Sequence, residues 1–228
     1  MKILNNYVLI QPDKDHTELK SGLKIVDAAN THLHAAVTGT VLVAPKELIY
    51  LGYEIKGLDR HDANDIQRIR DINDFSMPHD TDLEVKEGDR VMFNWVYHLD
   101  KPQLFGKNLL IPYSELFCRI NEDEIYPLNG RIIVEQIKQD VVLGGVKIAE
   151  KRSSTEGVVR YAGCVNRHYL TLPMQAQYAD DSDIQVGTHV YFQNNGLSRV
   201  EYQLYKDVVD FELWAGFRKD LMGFKNQE

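Results

Sequence analysis

Cysteine is scarce in this 228-residue sequence, which contains only Cys118 and Cys164. Two thiols cannot build a disulfide framework, and both lie near apolar residues, so we expect reduced thiols in the core. Also missing is any run of about 18 apolar residues, which a membrane-spanning helix would need. The first ten residues lack the apolar stretch of a signal peptide. The sequence therefore predicts a soluble, cytoplasmic protein that does not bind membranes.

Runs of lysine and arginine are absent as well. The 26 basic side chains are outnumbered by 34 acidic ones, which leaves a formal charge of −8. A protein that binds nucleic acid mainly through phosphate contacts needs a basic face. The charge balance thus argues against a nucleic-acid partner.

Enzyme motifs are missing too: there is no Gly-x-Gly-x-x-Gly, Gly-x-Ser-x-Gly, Walker-type loop or His-Glu-x-x-His. Two groups of polar residues are candidate metal ligands: His32 and His34 with Asp27, and His61 with Asp62 and Asp65. In segments of this composition such residues are more often solvated surface side chains. We expect no enzyme activity, no cofactor and no metal; a metal-dependent enzyme is the alternative that metal analysis would test.

What the sequence does contain is short apolar runs of strand length, separated by Gly, Asn, Asp and Pro. Many short strands with turn residues between them are typical of a barrel or sandwich, so the sequence predicts an all-β protein. The predicted strands cover 6–11, 40–44, 90–97, 108–112 and 116–120 in the first half, and 131–136, 158–162, 188–193, 200–205 and 211–217 in the second.

Four sequence blocks occur twice in the same order. Residues 6–11, 21–26, 39–42 and 85–94 match 130–135, 144–149, 157–160 and 184–193, with offsets of 124, 123, 118 and 99. The shared order predicts a duplication, with one copy in 1–122 and the other in 123–228. The charged stretch at 121–128, which contains Pro127, is the expected short connection between them.

The change in offset places an insertion at about 45–84 of the first copy. Within it, Ile66, Ile69, Ile72 and Phe75 are spaced three apart, which predicts a short helix over 65–75. Such a helix would cap the first copy or bind a partner. The corresponding segment of the second copy, at 164–183, is polar and is predicted to be a loop.

The most specific block is Val-x-x-Gly-Asp-x-Val-x-Phe-Asn at 85–94, in which Gly88 suits a tight turn and Val91 and Phe93 share one face. With Gly-x-Val-Leu at 39–42 and the closing runs at 109–111 and 115–120, it resembles the GroES (chaperonin-10) co-chaperonin family. The likeness covers nearly all of the first copy apart from the insertion. The second copy is more divergent, with Thr188 in place of the acidic residue.

This resemblance implies two tandem GroES-like barrels in a protein that forms a homo-oligomeric ring, lids a GroEL-like chaperonin ring and assists ATP-dependent folding. It also implies a mobile loop after each first strand that contacts the chaperonin. The matching positions are Gly22, Leu23, Lys24, Ile25 and Val26 in the first copy, and Gly144, Gly145, Val146, Lys147 and Ile148 in the second.

The loop motif departs from the family pattern, because a lysine interrupts the usual three consecutive apolar residues in both copies. Residues 27–38 and 149–156 after the motifs are predicted to be flexible. One alternative is that Leu23 and Ile25, and likewise Val146 and Ile148, alternate along an ordinary strand with lysine facing solvent. A structural or assembly module that no longer binds a chaperonin is the corresponding alternative function.

Overall fold

The computed structural model describes residues 6–13, 37–48, 82–94, 96, 106–121, 124–164, 184–194, 196–199 and 209–225. The predicted helix at 65–75 and the predicted strand at 200–205 lie outside these residues. The first six strands are β1 (Tyr7–Pro12), β2 (Thr38–Val43), β3 (Arg90–Phe93), β4 (Leu109–Pro112), β5 (Leu116–Asn121) and β6 (Glu124–Pro127). The next six are β7 (Arg131–Leu143), β8 (Val146–Ala162), β9 (His189–Phe192), β10 (Ser198–Arg199), β11 (Trp214–Phe217) and β12 (Leu221–Lys225).

The protein is all-β, as predicted, and the strands in the described residues form two antiparallel six-stranded sheets. Their orders are β4-β1-β2-β3-β5-β6 and β10-β11-β7-β8-β9-β12. The five-strand order β4-β1-β2-β3-β5 recurs in the second sheet as β11-β7-β8-β9-β12, and a short 3-10 helix precedes β5 and β12 alike. Three of the four pairs of matching sequence blocks therefore lie on or beside equivalent strands, and the block at 21–26 lies outside the described residues.

The equivalence extends to individual irregularities. The pairing of β1 with β2 shifts register between Leu9 and Ile10, and that of β7 with β8 shifts between Ile133 and Val134. These two sites are related by the 124-residue offset of the first sequence block. A register shift reverses the faces of the residues beyond it. Because the shift falls at the same position in both copies, equivalent side chains face the interior of each copy.

The turn before β3 is also repeated before β9. In the first turn, the Gly88 N–H donates to the Val41 carbonyl at 2.9 Å, and the Lys86 N–H donates to Oδ2 of Asp89 at 2.9 Å. In the second turn, the Gly187 N–H donates to the Val159 carbonyl at 2.8 Å. There Oγ1 of Thr188 accepts the Gln185 N–H at 3.0 Å. A hydroxyl thus replaces the carboxylate without losing the hydrogen bond.

Among the described residues, alternating side chains form three apolar clusters. Val91 and Phe93 pack in the cluster of the first sheet, while Met92, between them, packs in a cluster shared by both sheets. Strand β7 does the same in the second half, with Ile132 and Val134 in its own cluster and Ile133 in the shared one. The predicted common face of Val91 and Phe93 is confirmed. Because side chains alternate along each strand, each half has its own apolar cluster, and a third cluster contains side chains from both halves.

The junction between the halves also contains buried polar groups. The backbone N–H of Asn129 donates to Oε2 of Glu84 at 2.9 Å, and its side-chain amide donates to the Tyr113 carbonyl at 2.9 Å. The Tyr113 hydroxyl in turn donates to the Asp82 carbonyl at 3.0 Å and accepts the Glu84 N–H at 2.9 Å. Burial raises the pKa of the Glu84 carboxyl, opposed by its hydrogen bonds to Asn129 and Tyr113. This network ties residues 82–84, which end the insertion, to the start of the second half.

Part of the expected connection at 121–128 is a strand. Strand β6 pairs antiparallel with β5, for example Ile120 with Ile125, and so becomes the outer strand of the first sheet. Pro127 fits because it is the last residue of an outer strand, where a missing N–H breaks little of the ladder. Strand β12 was not predicted either.

The two cysteines differ in environment. Cys118 is fully buried in the shared cluster, as expected, and burial raises the pKa of its thiol to about 12. Cys164 is exposed, which corrects the expectation of two core thiols. Cys164 lies two residues after the end of β8, outside the sheet. No helix in the described part of the chain has the length and apolar character to cross a membrane.

Candidate functional site

The second set of predicted contact residues lies at the end of the hairpin formed by β7 and β8. Gly144 and Gly145 connect the two strands, and Val146, Lys147 and Ile148 begin β8. The first set, Gly22, Leu23, Lys24, Ile25 and Val26, lies outside the described residues. The candidate site in the described residues therefore belongs to the second copy.

The turn at the end of this hairpin requires glycine. Gly144 and Gly145 have φ values of 58° and 81°, and both therefore lie in the left-handed region. Two-residue turns with positive φ at both positions match the right-handed twist of paired strands and favour glycine. Leu143 and Val146 form the first cross-strand pair beside the turn. The local sequence thus closes a tight hairpin and not a wide loop.

The end of this hairpin extends beyond its neighbours in the sheet, and we call residues 138–151 the arm. Strand β11 pairs with β7 only from Arg131 to Val134, and β9 pairs with β8 only from Glu156 to Val158. Every residue of the arm is exposed. Each strand of the arm reaches about 17 Å, at about 3.4 Å per residue.

A large register shift separates the arm from the rest of the sheet. Gln136 pairs with Gly157, whereas Lys138 pairs with Arg152, so 153–156 of β8 lie opposite a single residue of β7. At this base Arg152 approaches Glu212, with Nη1 and Oε2 3.8 Å apart. Residues 149–156, predicted to form a flexible loop, are part of β8. Pairing with β7 holds 149–152 of this segment in the strand despite their polar composition.

One face of the arm carries aliphatic side chains. Paired residues of an antiparallel ribbon share a face, and the face alternates along each strand. The pairs Leu143 with Val146, Val141 with Ala149 and Gln139 with Lys151 therefore lie on the same side. We call this side the aliphatic face.

The opposite side carries ion pairs, and we call it the ion-paired face. Nζ of Lys147 lies 2.5 Å from Oδ1 of Asp140 and 3.7 Å from Oε2 of Glu150, and Nζ of Lys138 lies 3.2 Å from Oε1 of Glu150. Hydrogen bonding and charge attraction from Lys138, with a smaller effect of Lys147, lower the pKa of the Glu150 carboxyl. Val142 also lies on this side, because it pairs with Lys147. Exposed ion pairs contribute little free energy each, but these pairs favour one register of the ribbon.

The arm exposes an unusual amount of apolar side chain. Val142, Leu143, Val146 and Ile148 are 57%, 70%, 65% and 59% exposed. Single exposed aliphatic residues are common on protein surfaces, but a contiguous group on a projecting element marks an interaction site. Ile148 falls at a second register shift and has no residue directly opposite it. The arrangement is suited to binding an apolar surface.

No group of three or more His, Cys, Asp or Glu side chains in the described part of the chain is placed to hold a metal ion. The two candidate groups in the sequence, around His32 and around His61, lie outside the described residues. His189 is placed: its Nε2 lies 3.3 Å from Oε2 of Glu156, and its ring stacks on Tyr191 with centroids 4.8 Å apart. This pair lies on the outer surface of β8 and β9.

No family model matches the chain, and no curated protein shows significant similarity to it. The functional interpretation therefore depends on the residues themselves and on the resemblance seen in the sequence.

Sequence reasoning missed Val141, Val142 and Leu143, which stand on the other strand of the same arm. Their signal was present as an apolar run directly before Gly-Gly, which with the run after it is a typical hairpin pattern. The predicted contact positions include only the strand after the glycines and therefore only half of the apolar end.

Proposed function

We propose that this chain is a co-chaperonin made of two GroES-like barrels in tandem. In this proposal, copies of the chain form a closed ring that lids a chaperonin in the cytoplasm and assists ATP-dependent protein folding without being an enzyme. The observation that carries the proposal is the arm, which presents exposed aliphatic side chains at the position where the family contacts its chaperonin.

The chemistry of the arm fits a contact of this kind. An aliphatic side chain that becomes fully buried contributes roughly 1.5–3 kcal/mol. A few such side chains give a weak contact, because the loss of translational and rotational freedom on association opposes it. A ring presents several arms to a ring-shaped partner, and effective concentration then raises the overall affinity far above that of one arm. Weak single contacts also permit release.

The edges of the two sheets support ring formation. The outer edge of β5 is covered by β6, whereas no strand covers the outer edge of β12, its counterpart, among the described residues. Met222 on β12 is 70% exposed and Phe224 is 42% exposed. An uncovered edge strand with apolar side chains tends to pair with another chain.

The contact within the chain offers a pattern for the contact between chains. Strand β6 covers the edge of β5 within one copy. We propose that a strand of the next copy covers β12 in the same way. Such a head-to-tail contact repeats from copy to copy, and a ring forms when the rotation closes.

The proposal is tested by measuring the mass of the purified protein alone and with a chaperonin and nucleotide. We expect an oligomer that binds the chaperonin only with nucleotide and changes its ATPase and refolding activity. The double variant Ile25→Asp, Ile148→Asp should lose chaperonin binding and keep the oligomer. Val186→Asp is the matched control, because Val186 is 67% exposed but lies in the turn before β9. A monomer without effect on the chaperonin would overturn the proposal.

One observation favours the second candidate, a structural or assembly module with this fold. Val146, Lys147 and Ile148 lie in a strand, and Lys147 is ion-paired, as expected if the motif is ordinary structure. Such a module would form the oligomer, and neither the wild-type protein nor the double variant would affect the chaperonin. The same measurements therefore separate the two functions.

A further inference from the structure

Lys147, which interrupts the apolar motif, is directed away from the aliphatic face. It is held between Asp140 and Glu150 on the ion-paired face, at 2.5 Å and 3.7 Å. Its neighbour Val146 pairs with Leu143 and lies on the opposite side of the ribbon. The lysine therefore does not divide the apolar surface, because that surface is assembled across two strands and not along one.

The aliphatic face has a defined composition. Two cross-strand pairs, Leu143 with Val146 and Val141 with Ala149, cover its outer part. The next pair toward the base is Gln139 with Lys151. Lys151 is exposed and forms no ion pair with any residue that the structure describes, in contrast to Lys138 and Lys147. One end of the face is thus apolar, and the other carries an unneutralised positive charge.

We infer that the arm binds the chaperonin as a preformed ribbon, through Val141, Leu143 and Val146 on its aliphatic face and with Lys151 at the edge of the contact. This inference rests on the proposed function and specifies its site. The partner surface is an apolar cleft with an acidic group on its rim, placed to meet Lys151. The ion-paired face stays in solvent.

Two physical reasons favour this orientation. Burying the ion-paired face would remove water from Lys138, Asp140, Lys147 and Glu150. The free-energy cost of desolvating paired charges offsets much of their mutual attraction. Burying the aliphatic face removes apolar area from water and leaves only Lys151 to be matched. The ribbon is already hydrogen-bonded, so little backbone entropy is lost on binding.

A matched pair of substitutions tests the orientation in the full-length protein. Val146→Thr and Val142→Thr make the same chemical change at residues of similar exposure, on opposite faces of the arm. Chaperonin affinity is measured in the presence of nucleotide by fluorescence anisotropy of the labelled protein. We expect the double variant Leu143→Ser, Val146→Thr to bind about tenfold or more weakly. The affinity of Val146→Thr alone should lie between that of the double variant and that of wild type. The affinities of Val142→Thr and of the distant control Val186→Thr should stay close to that of wild type.

Charge is tested separately at Lys151. Lys151→Glu should weaken binding severalfold at low salt, and the difference from wild type should shrink as salt screens the charges. Lys147→Gln changes a lysine on the other face and should have no such salt dependence. Equal effects of the two lysine substitutions would overturn the assigned faces.

The outcomes distinguish this inference from the function on which it rests. If the wild-type protein does not bind the chaperonin, the proposed function itself fails. If the wild-type protein binds but Val142→Thr weakens binding as much as Val146→Thr, the function stands and the inference is wrong. Loss of the oligomer in the arm variants would assign the aliphatic face to another copy of the chain and also overturn the inference, as would arm-dependent binding to lipid vesicles.

Discussion

Alanine at Gly157 or Gly39 should destabilise the protein, because both glycines lie where the strands approach too closely for a side chain. A Cβ at Gly157 would lie 2.3 Å from Cγ1 of Val134 and 2.8 Å from the carbonyl oxygen of Glu135. At Gly39 it would lie 2.5 Å from the carbonyl oxygen of Gln11. Carbon atoms in van der Waals contact are about 3.5–4.0 Å apart. The two glycines occupy equivalent positions in the two copies, so the same crowding is found twice.

The magnitude follows from two opposing effects. Overpacking of a well-packed site costs roughly 1–3 kcal/mol, and the upper half applies when backbone atoms must move. Replacing glycine by alanine also restricts the unfolded chain, which stabilises the fold by about 0.4–1 kcal/mol. The steric effect is larger, so we expect each variant to lose about 1–2 kcal/mol of unfolding free energy.

Urea unfolding followed by tryptophan fluorescence measures this loss. With a slope of about 2 kcal/mol per molar urea, the midpoint should fall by roughly 0.5–1 M in each variant. Gly223→Ala is the control, since a Cβ there would meet no atom within 4 Å and the backbone does not require glycine. If Gly39→Ala or Gly157→Ala unfolds at the same urea concentration as Gly223→Ala, the strands do not approach too closely for a side chain at that glycine, and the prediction is wrong.

Three further predictions concern single groups. Burial raises the pKa of Glu84 above its ordinary 4.5, so the stability that Glu84 contributes is complete below pH 4.5 and is lost as pH rises through the raised pKa. The unfolding free energy of Glu84→Gln, measured with urea, should therefore increase relative to that of wild type from pH 4 to 7. A difference that stays constant with pH would contradict this. Thr188→Val should lose about 1 kcal/mol in the same assay because the Gln185 N–H loses its acceptor, whereas Thr188→Asp should keep it; equal losses would refute the role of the hydroxyl. A maleimide should label Cys164 in the folded protein, whereas Cys118, buried and with a thiol pKa of about 12, should react only in denaturant; native labelling of both would be inconsistent with the fold.

The amino-acid sequence by itself determined the fold class and the internal repeat. Apolar runs of four to six residues between glycines, asparagines and prolines allow strands and little else. The order of the blocks was informative because turn residues such as Gly88 and Gly187 are required by the local backbone geometry. That requirement is visible in each short stretch of sequence. The alternation of Val91, Met92 and Phe93 was readable for the same reason.

Tertiary structure alone decided which faces and edges are covered. Residues 124–127 look like a connection, and only the free edge of β5 makes a strand of them. The charged stretch at 149–156 was predicted to be a flexible loop, but it lies in β8, whose residues 146–147 and 149–152 pair with the opposite strand. The same pairing brings Lys147 beside Asp140. Cross-strand neighbours are distant in sequence and depend on register, which local composition does not encode. For that reason the sequence located the end of the arm, whereas the structure showed that its apolar surface is built from both strands.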